Sequence, residues 1–181
     1  MRYDIRFSGS GGQGIITAGI LLAQAAAIKA GKNAVQSQSY GPEARGGASK
    51  AEVIISDDEI NYPKIISPDI IISLTQESYN KYAVDLKDNA LIIVDNTLVH
   101  EYKQDNHKVY AVPITSSVKE LLGSSVSANI VTLGVVNEIC KILDHSWLLE
   151  VIVGNFPERA AENNKKAYNL GIELAKKVME Q

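Results

Sequence analysis

A strand, a glycine-rich turn and an apolar helix open the chain, and this run limits the possible folds more than anything after it. Tyr3-Asp4-Ile5-Arg6-Phe7 alternates as a strand does, and residues 15–30 read as a helix apolar on nearly every side. Between them lies Ser8-Gly9-Ser10-Gly11-Gly12-Gln13-Gly14, with Gly9, Gly11 and Gly14 at the Gly-x-Gly-x-x-Gly spacing. Glycine permits positive φ and lets the backbone come close to a ligand or another segment. The first amides of the following helix lack intrahelical partners, so an anion, phosphate above all, is favoured over the turn. A βα turn whose glycines serve only helix–sheet packing explains the spacing equally well. A dinucleotide site ranks lower, because it asks for an acidic residue about 20 positions on, at the end of the second strand. That strand reads Asn33-Ala34-Val35-Gln36-Ser37-Gln38 and has no carboxylate. The Lys-Ser/Thr ending of a Walker loop is also missing, since Gln13-Gly14-Ile15 stands in its place.

Gly31-Lys32 closes the first helix. A helix so apolar is buried on more than one side, by its own neighbours or by a partner subunit. The second strand runs into Ser39-Tyr40-Gly41-Pro42-Glu43-Ala44-Arg45-Gly46-Gly47, where glycines frame one carboxylate and one guanidinium. The loop sits near the carboxyl end of a strand, the side on which open α/β sheets bind ligands. A surface loop with a weak Glu43–Arg45 pair is the plain alternative. Residues 50–56 read as a third strand, and Asp57-Asp58-Glu59 as a solvated hairpin tip in preference to a metal site. Residues 69–74 and 90–95 are continuous apolar strands of the doubly covered kind. Residues 75–86 form a helix capped by Thr75 or Ser78, and residues 108–112 a further strand. Helices follow over 115–122 and 130–143, then one capped by Ser146 and a last one begun by Pro157-Glu158. The alternation predicts an α/β fold of three layers, Rossmann-like. It has a mainly parallel sheet with helices on both faces, a helical C-terminal third, and a single domain over 1–181.

A net charge of −3 with scattered basic residues argues against a nucleic-acid surface, and 45% apolar residues argue against extended disorder. The N-terminus enters a strand without a secretory leader. The apolar run 15–30 contains Gln24 and Lys29 and is shorter than the roughly 20 residues that span a bilayer. A cytoplasmic protein with no membrane contact is the expectation. The single cysteine, Cys140, excludes an intrachain disulfide and a cluster held by four thiolates of this chain. In an apolar helical stretch it reads as a buried, inert thiol. His100 and His107 read as exposed loop histidines without a third ligand at a sensible spacing. No metal site, no Ser-His-acid set and no Cys-His set assembles, so no catalytic residue is assigned. This pattern suits a subunit that completes another chain's active site.

The glycine loop at residues 8–14, followed by the segment 39–47, resembles the gamma subunit of 2-oxoacid:ferredoxin oxidoreductases, the pyruvate/ketoisovalerate oxidoreductase gamma-domain family. Residues 127–134 (Ser-Ala-Asn-Ile-Val-Thr-Leu-Gly) and 163–171 (Asn-Asn-Lys-Lys-Ala-Tyr-Asn-Leu-Gly) resemble two further segments of it, so the likeness runs in order along the whole chain. The Tyr-Gly-Pro-Glu-x-Arg-Gly-Gly version is more similar to the 2-oxoglutarate branch than to the pyruvate branch. Branched-chain 2-oxoacid and indolepyruvate enzymes share the domain. The resemblance implies a holoenzyme of anaerobic metabolism that oxidatively decarboxylates a 2-oxoacid to acyl-CoA and passes electrons to ferredoxin. It implies alpha, beta and ferredoxin-like delta partner subunits that hold thiamine diphosphate, magnesium and iron–sulfur clusters. It also implies that this chain is inactive alone and lies beside coenzyme A. On that footing Gly9, Gly11, Gly12, Gln13 and Gly14 are expected around a phosphate of coenzyme A. Arg45, held by Glu43, is expected at a phosphate or carboxylate, with Tyr40 stacking or donating and Gly46 and Gly47 allowing close approach. Subunit contact is the rival role for both loops. The other function classes are a stand-alone NADP-type module, with Arg45 at the 2′-phosphate, and a purely structural assembly subunit. An isolated chain is open to homodimerisation through surface meant for a partner.

Overall fold

The computed structural model describes residues 1–39, 47–104 and 106–181, so the expected roles of Tyr40, Glu43, Arg45 and Gly46 fall outside the described residues. The chain runs β1 (Arg2–Ser10), α1 (Ile15–Gln24), a π-helical turn (Ala25–Lys29), β2 (Asn33–Ser39), β3 (Ala48–Ser56) and β4 (Ile70–Ser73). It continues through α2 (Gln76–Tyr82), β5 (Leu91–Asp95), β6 (Lys108–Val112), α3 (Ile114–Leu122) and α4 (Ala128–Cys140). It ends with α5 (His145–Gly154), a 3-10 turn (Glu158–Ala160) and α6 (Ala161–Met179).

The strands form a sheet in the order β2-β3-β1-β4-β5-β6. β1, β4, β5 and β6 are parallel, whereas β3 is antiparallel to both β2 and β1. The mainly parallel sheet expected from the alternation is present, with β3 as its reversed member. The chain leaving α1 does not return beside β1. It goes out to the sheet edge as β2 and comes back as β3, paired with β1 from Arg2↔Ser56 to Ser10↔Ala48.

Strand period decides which side chains face which layer. Ile5, Phe7, Val53, Ile55 and Ile72 join one large core under α1, α3, α4, α5 and α6. Ile71, Ile92 and Val94 point the other way, into a smaller core closed by Tyr79 of α2 and by Val99. Both faces carry helix, but unequally. α1 is buried by its own sheet and by α4 and α5, which accounts for its apolar sequence.

Several local readings hold and others shift. Thr75 caps α2 in a reciprocal box with Ser78, each side chain meeting the other's amide at 3.3 Å. α5 is capped by Asp144 and not by Ser146. Asp144 is extended, and its carboxylate accepts the Ser146 amide at 2.8 Å, while Ser146 already lies within the first turn. Pro113 gives α3 no side-chain cap. Asp95, at the end of β5, accepts the amides of Ile114 and Thr115 at 3.1 Å each. Residues 57–59 are not a hairpin tip, because β3 and β4 lie on opposite sides of β1 and the connection must cross it. Asp57 instead meets the N-terminal amine at 2.9 Å and pairs with Lys32.

Candidate functional site

The glycine loop leaves β1 at the carboxyl end of the parallel strands. Gly12 and Gly14 have φ of 90° and 72°, a region that side-chain-bearing residues enter at a cost. Gly9 makes room for the loop to close on itself. A Cβ there would stand 2.5 Å from Oε1 of Gln13. That oxygen accepts the Ser10 amide at 2.8 Å, and the Gln13 amide donates to the Ser10 carbonyl at 3.2 Å. Gln13 thus folds back as a brace. The Gly11 amide donates to the Gly47 carbonyl at 3.3 Å, which ties the loop to the start of β3. The structure therefore brings Gly9, Gly11, Gln13 and Gly47 together as one internally bonded turn.

Gly12 and Gly14 differ from these. Among the described residues their amides make no hydrogen bond, and α1 starts without a side-chain cap. The first amides of α1 are likewise open by helix geometry. Among the described residues a Cβ on Gly12 would meet nothing within 4 Å. Two clefts share Gly12 and Gly14. One, of about 230 Å³, reaches Ile16 and Ser49. The other, of about 430 Å³, reaches Ser127 and Asn129 at the start of α4 and Asn163 and Asn164 at the start of α6. Asn129 also donates its Nδ2 to the Gly14 carbonyl at 3.2 Å. A Cβ on Gly14 would lie 2.5 Å from that nitrogen, so only glycine lets α4 brace the loop this closely.

Neutral donors around an uncapped helix start suit an anionic oxygen, phosphate in particular. Sequence reading connected residues 127–134 and 163–171 to the glycine loop only by resemblance and assigned them no site. A local signal could not have done so, because 115 positions separate Gly14 from Asn129.

A second polar cluster lies where α4, α5 and α6 meet. His145 Nε2 is 2.8 Å from Oε2 of Glu138, and its Nδ1 is 2.8 Å from the Tyr168 hydroxyl. Asn137 donates to the Tyr168 oxygen at 3.3 Å and to the Leu143 carbonyl at 3.0 Å. Burial pushes the Glu138 carboxyl up, but hydrogen bonds from Lys141 and His145 outweigh it and hold the group below the usual glutamate value. Burial pushes the Tyr168 hydroxyl well above the usual tyrosine value. Tyr168 is 1% exposed, and its hydroxyl ties α6 to α4 and α5. Burial also pushes the Cys140 thiol up to about 12, in keeping with an inert cysteine. Among the described residues no three His, Cys, Asp or Glu side chains gather as a metal ion would need. No helix among them is long and apolar enough to cross a membrane.

A family model described as pyruvate ferredoxin/flavodoxin oxidoreductase matches residues 4–174. The 2-oxoglutarate synthase subunit KorC of Methanocaldococcus jannaschii is 44% identical over 180 residues, spanning 98% of this chain and 96% of its own. The gamma subunit of a keto/oxoacid ferredoxin oxidoreductase from Geobacter sulfurreducens is similar in structure with a TM-score of 0.90 at 42% identity, over 98% of both chains. The 2-oxoglutarate:ferredoxin oxidoreductase of Magnetococcus marinus, solved with 2-oxoglutarate, coenzyme A and succinyl-CoA bound, gives a TM-score of 0.87 at 26% identity. The match covers 97% of this chain and 31% of that longer one.

Proposed function

The chain belongs to the pyruvate ferredoxin/flavodoxin oxidoreductase family as a gamma subunit of a 2-oxoacid:ferredoxin oxidoreductase, and on that premise we propose that its enzyme acts on 2-oxoglutarate and that this chain completes the coenzyme A side of the site. The near full-length likeness to a 2-oxoglutarate synthase subunit supports the substrate. The observation that carries the coenzyme A role is the pair of amides at Gly12 and Gly14, unbonded among the described residues, at the uncapped start of α1.

A phosphate of coenzyme A would accept from those amides, with the partial positive charge of the helix start favouring it. Gly9, Gly11, Gln13 and Gly47 would act on the ligand indirectly, by holding the turn in shape. The chemistry belongs to partner chains. Thiamine diphosphate with magnesium supplies decarboxylation there, and iron–sulfur clusters supply the electron path to ferredoxin. This chain binds and orients the acyl acceptor and is inactive alone. The Magnetococcus chain is about three times longer than the part matched, which supports a fold that works joined to further polypeptide. In this protein the join would lie between gamma and the alpha, beta and delta subunits. The strand order speaks against the NADP-type reading, because the strand that follows α1 is separated from β1 by β3.

The test is anaerobic isolation of the native complex through a tag on this chain. The eluate is assayed for coenzyme A-dependent viologen reduction on a panel of 2-oxoacids. Co-elution of thiamine-binding and iron–sulfur chains with highest kcat/KM on 2-oxoglutarate is expected. Preference for pyruvate or a branched-chain 2-oxoacid would overturn the substrate, and a chain that elutes without partners would overturn the subunit role.

A further inference from the structure

The carbonyl of Gly14 accepts two hydrogen bonds. One comes from the Ala18 amide at 2.9 Å, the bond that opens α1. The other comes from Nδ2 of Asn129, in the first turn of α4, at 3.2 Å. Asn129 is 6% exposed, and its Oδ1 accepts the Ile130 amide at 3.0 Å. Both ends of the side-chain amide are in use, and only its nitrogen can face a carbonyl oxygen.

The peptide bond between Gly14 and Ile15 is trans and planar, so its carbonyl and its N–H point in opposite directions. Two donors fix the oxygen, one along α1 and one across from α4. The Ile15 amide, at the far side of the same plane, is thereby fixed as well, and it points back toward the glycine turn. Among the described residues that amide makes no hydrogen bond, like those of Gly12 and Gly14. Gly14 has φ 72° and ψ 20°, and glycine enters that region and others with nearly equal ease. Its own backbone therefore does not choose one orientation of the plane. The Asn129 amide supplies the choice.

We propose that Asn129 is a positioning residue for coenzyme A. It acts through the Gly14–Ile15 peptide, which it holds so that the Ile15 amide stays aimed at the turn where a phosphate would sit. This assignment rests on the function proposed above and adds Ile15 to the donors named there.

The experiment is steady-state kinetics of the native complex carrying variants of this chain, with amide exchange across residues 11–17 as a second readout. Asn129→Ala removes the donor. Asn129→Asp keeps the shape and the acceptor for Ile130, and sets an oxygen where the donor stood. Both are expected to raise the KM for coenzyme A about tenfold, the scale of one hydrogen bond, with kcat and the KM for the 2-oxoacid unchanged. Both are also expected to speed exchange at Ile15 in the absence of coenzyme A. A rise in the uncharged alanine variant separates misdirection of the amide from repulsion by a new carboxylate. If Asn129→Ala fails to fold, Asn129→Asp still decides through exchange at Ile15, because a carboxylate in the first turn of α4 is favoured by the helix start. Thr132→Val is the control for a merely structural role. Thr132 is 1% exposed and its hydroxyl donates to the Ala128 carbonyl at 2.7 Å, so this variant loosens the same part of α4 without removing a bond to the glycine turn. It is expected to keep the wild-type KM for coenzyme A, and an equal rise there overturns the assignment. An unchanged KM in both Asn129 variants, while coenzyme A still slows exchange across residues 11–17 of wild type, overturns the assignment and leaves the coenzyme A role standing. Coenzyme A that leaves this exchange unchanged in wild type overturns that role and the assignment with it.

Discussion

The crossing of α4 and α6 offers a sharp test of the packing. Gly134 and Gly171 face each other there. A Cβ on Gly134 would stand 2.3 Å from the Tyr168 carbonyl oxygen and 3.1 Å from the Gly171 Cα. Carbon contacts are most favourable at about 3.5–4.0 Å, so Gly134→Ala must force the helices apart by about 1 Å. The obstacle is helical backbone and cannot rotate away. The separation would loosen Val131, Val135, Ala167 and Tyr168, all at most 1% exposed. Overpacking of this kind costs about 1–3 kcal/mol, and a rigid obstacle puts it at the upper end. Alanine returns about 1 kcal/mol through better helix propensity, which leaves a net loss of about 2 kcal/mol. For a chain of this size that lowers Tm by about 4–8 °C. Gly154→Ala in α5 is the control, since a Cβ there meets nothing within 4 Å and only the propensity gain remains. Urea unfolding monitored by circular dichroism measures both. Gly171→Ala should behave like Gly134→Ala, and the double variant should cost less than the sum, because one separation serves both methyls. If Gly134→Ala proves as stable as wild type while Gly154→Ala gains, the close crossing is refuted.

Further outcomes follow from individual side chains. Asp95→Ala removes the acceptor for the amides of Thr97, Ile114 and Thr115, and should cost about 2–4 kcal/mol in thermal or urea unfolding. Glu138 is held below the ordinary glutamate value of 4.5, so its contribution is full above that pH and is lost as pH falls through the lowered value. The stability advantage of wild type over Glu138→Gln should therefore be constant near neutrality and shrink below about pH 4.5 in a series of urea melts. Cys140, with its thiol pushed up to about 12, should react with Ellman's reagent at pH 8 at least about tenfold more slowly in the folded chain than in urea, the smaller thiolate fraction outweighing the greater nucleophilicity of a high-pKa thiolate.

Much of the architecture was legible because its signals are local. The β1 alternation, the glycine turn, the apolar α1 and the Thr75–Ser78 cap each lie within a few residues, and each appears where the sequence places it. The apolar runs at β4 and β5 announced strands covered on both faces. Strand order is not a local property, and the wedging of β3 between β2 and β1 left no mark in the periodicity. The same holds for the cleft. Gly14, Asn129 and Asn164 belong to the segments of three separate helices, and only tertiary packing shows that they line one cleft. His145 went unremarked for a similar reason: its partners Glu138 and Tyr168 sit on two other helices. The cap of α5 is different, since Asp144 and Ser146 are about equally good capping residues two positions apart, and capping preference alone does not choose between them.

Whether the glycine turn meets coenzyme A within the assembled enzyme is measured most directly by hydrogen–deuterium exchange of the native complex, with and without saturating coenzyme A. Slowed exchange across residues 11–17, where the amides of Gly12 and Gly14, unbonded among the described residues, meet the start of α1, is the predicted result. Unchanged exchange there, with protection confined to the other subunits, would contradict the account.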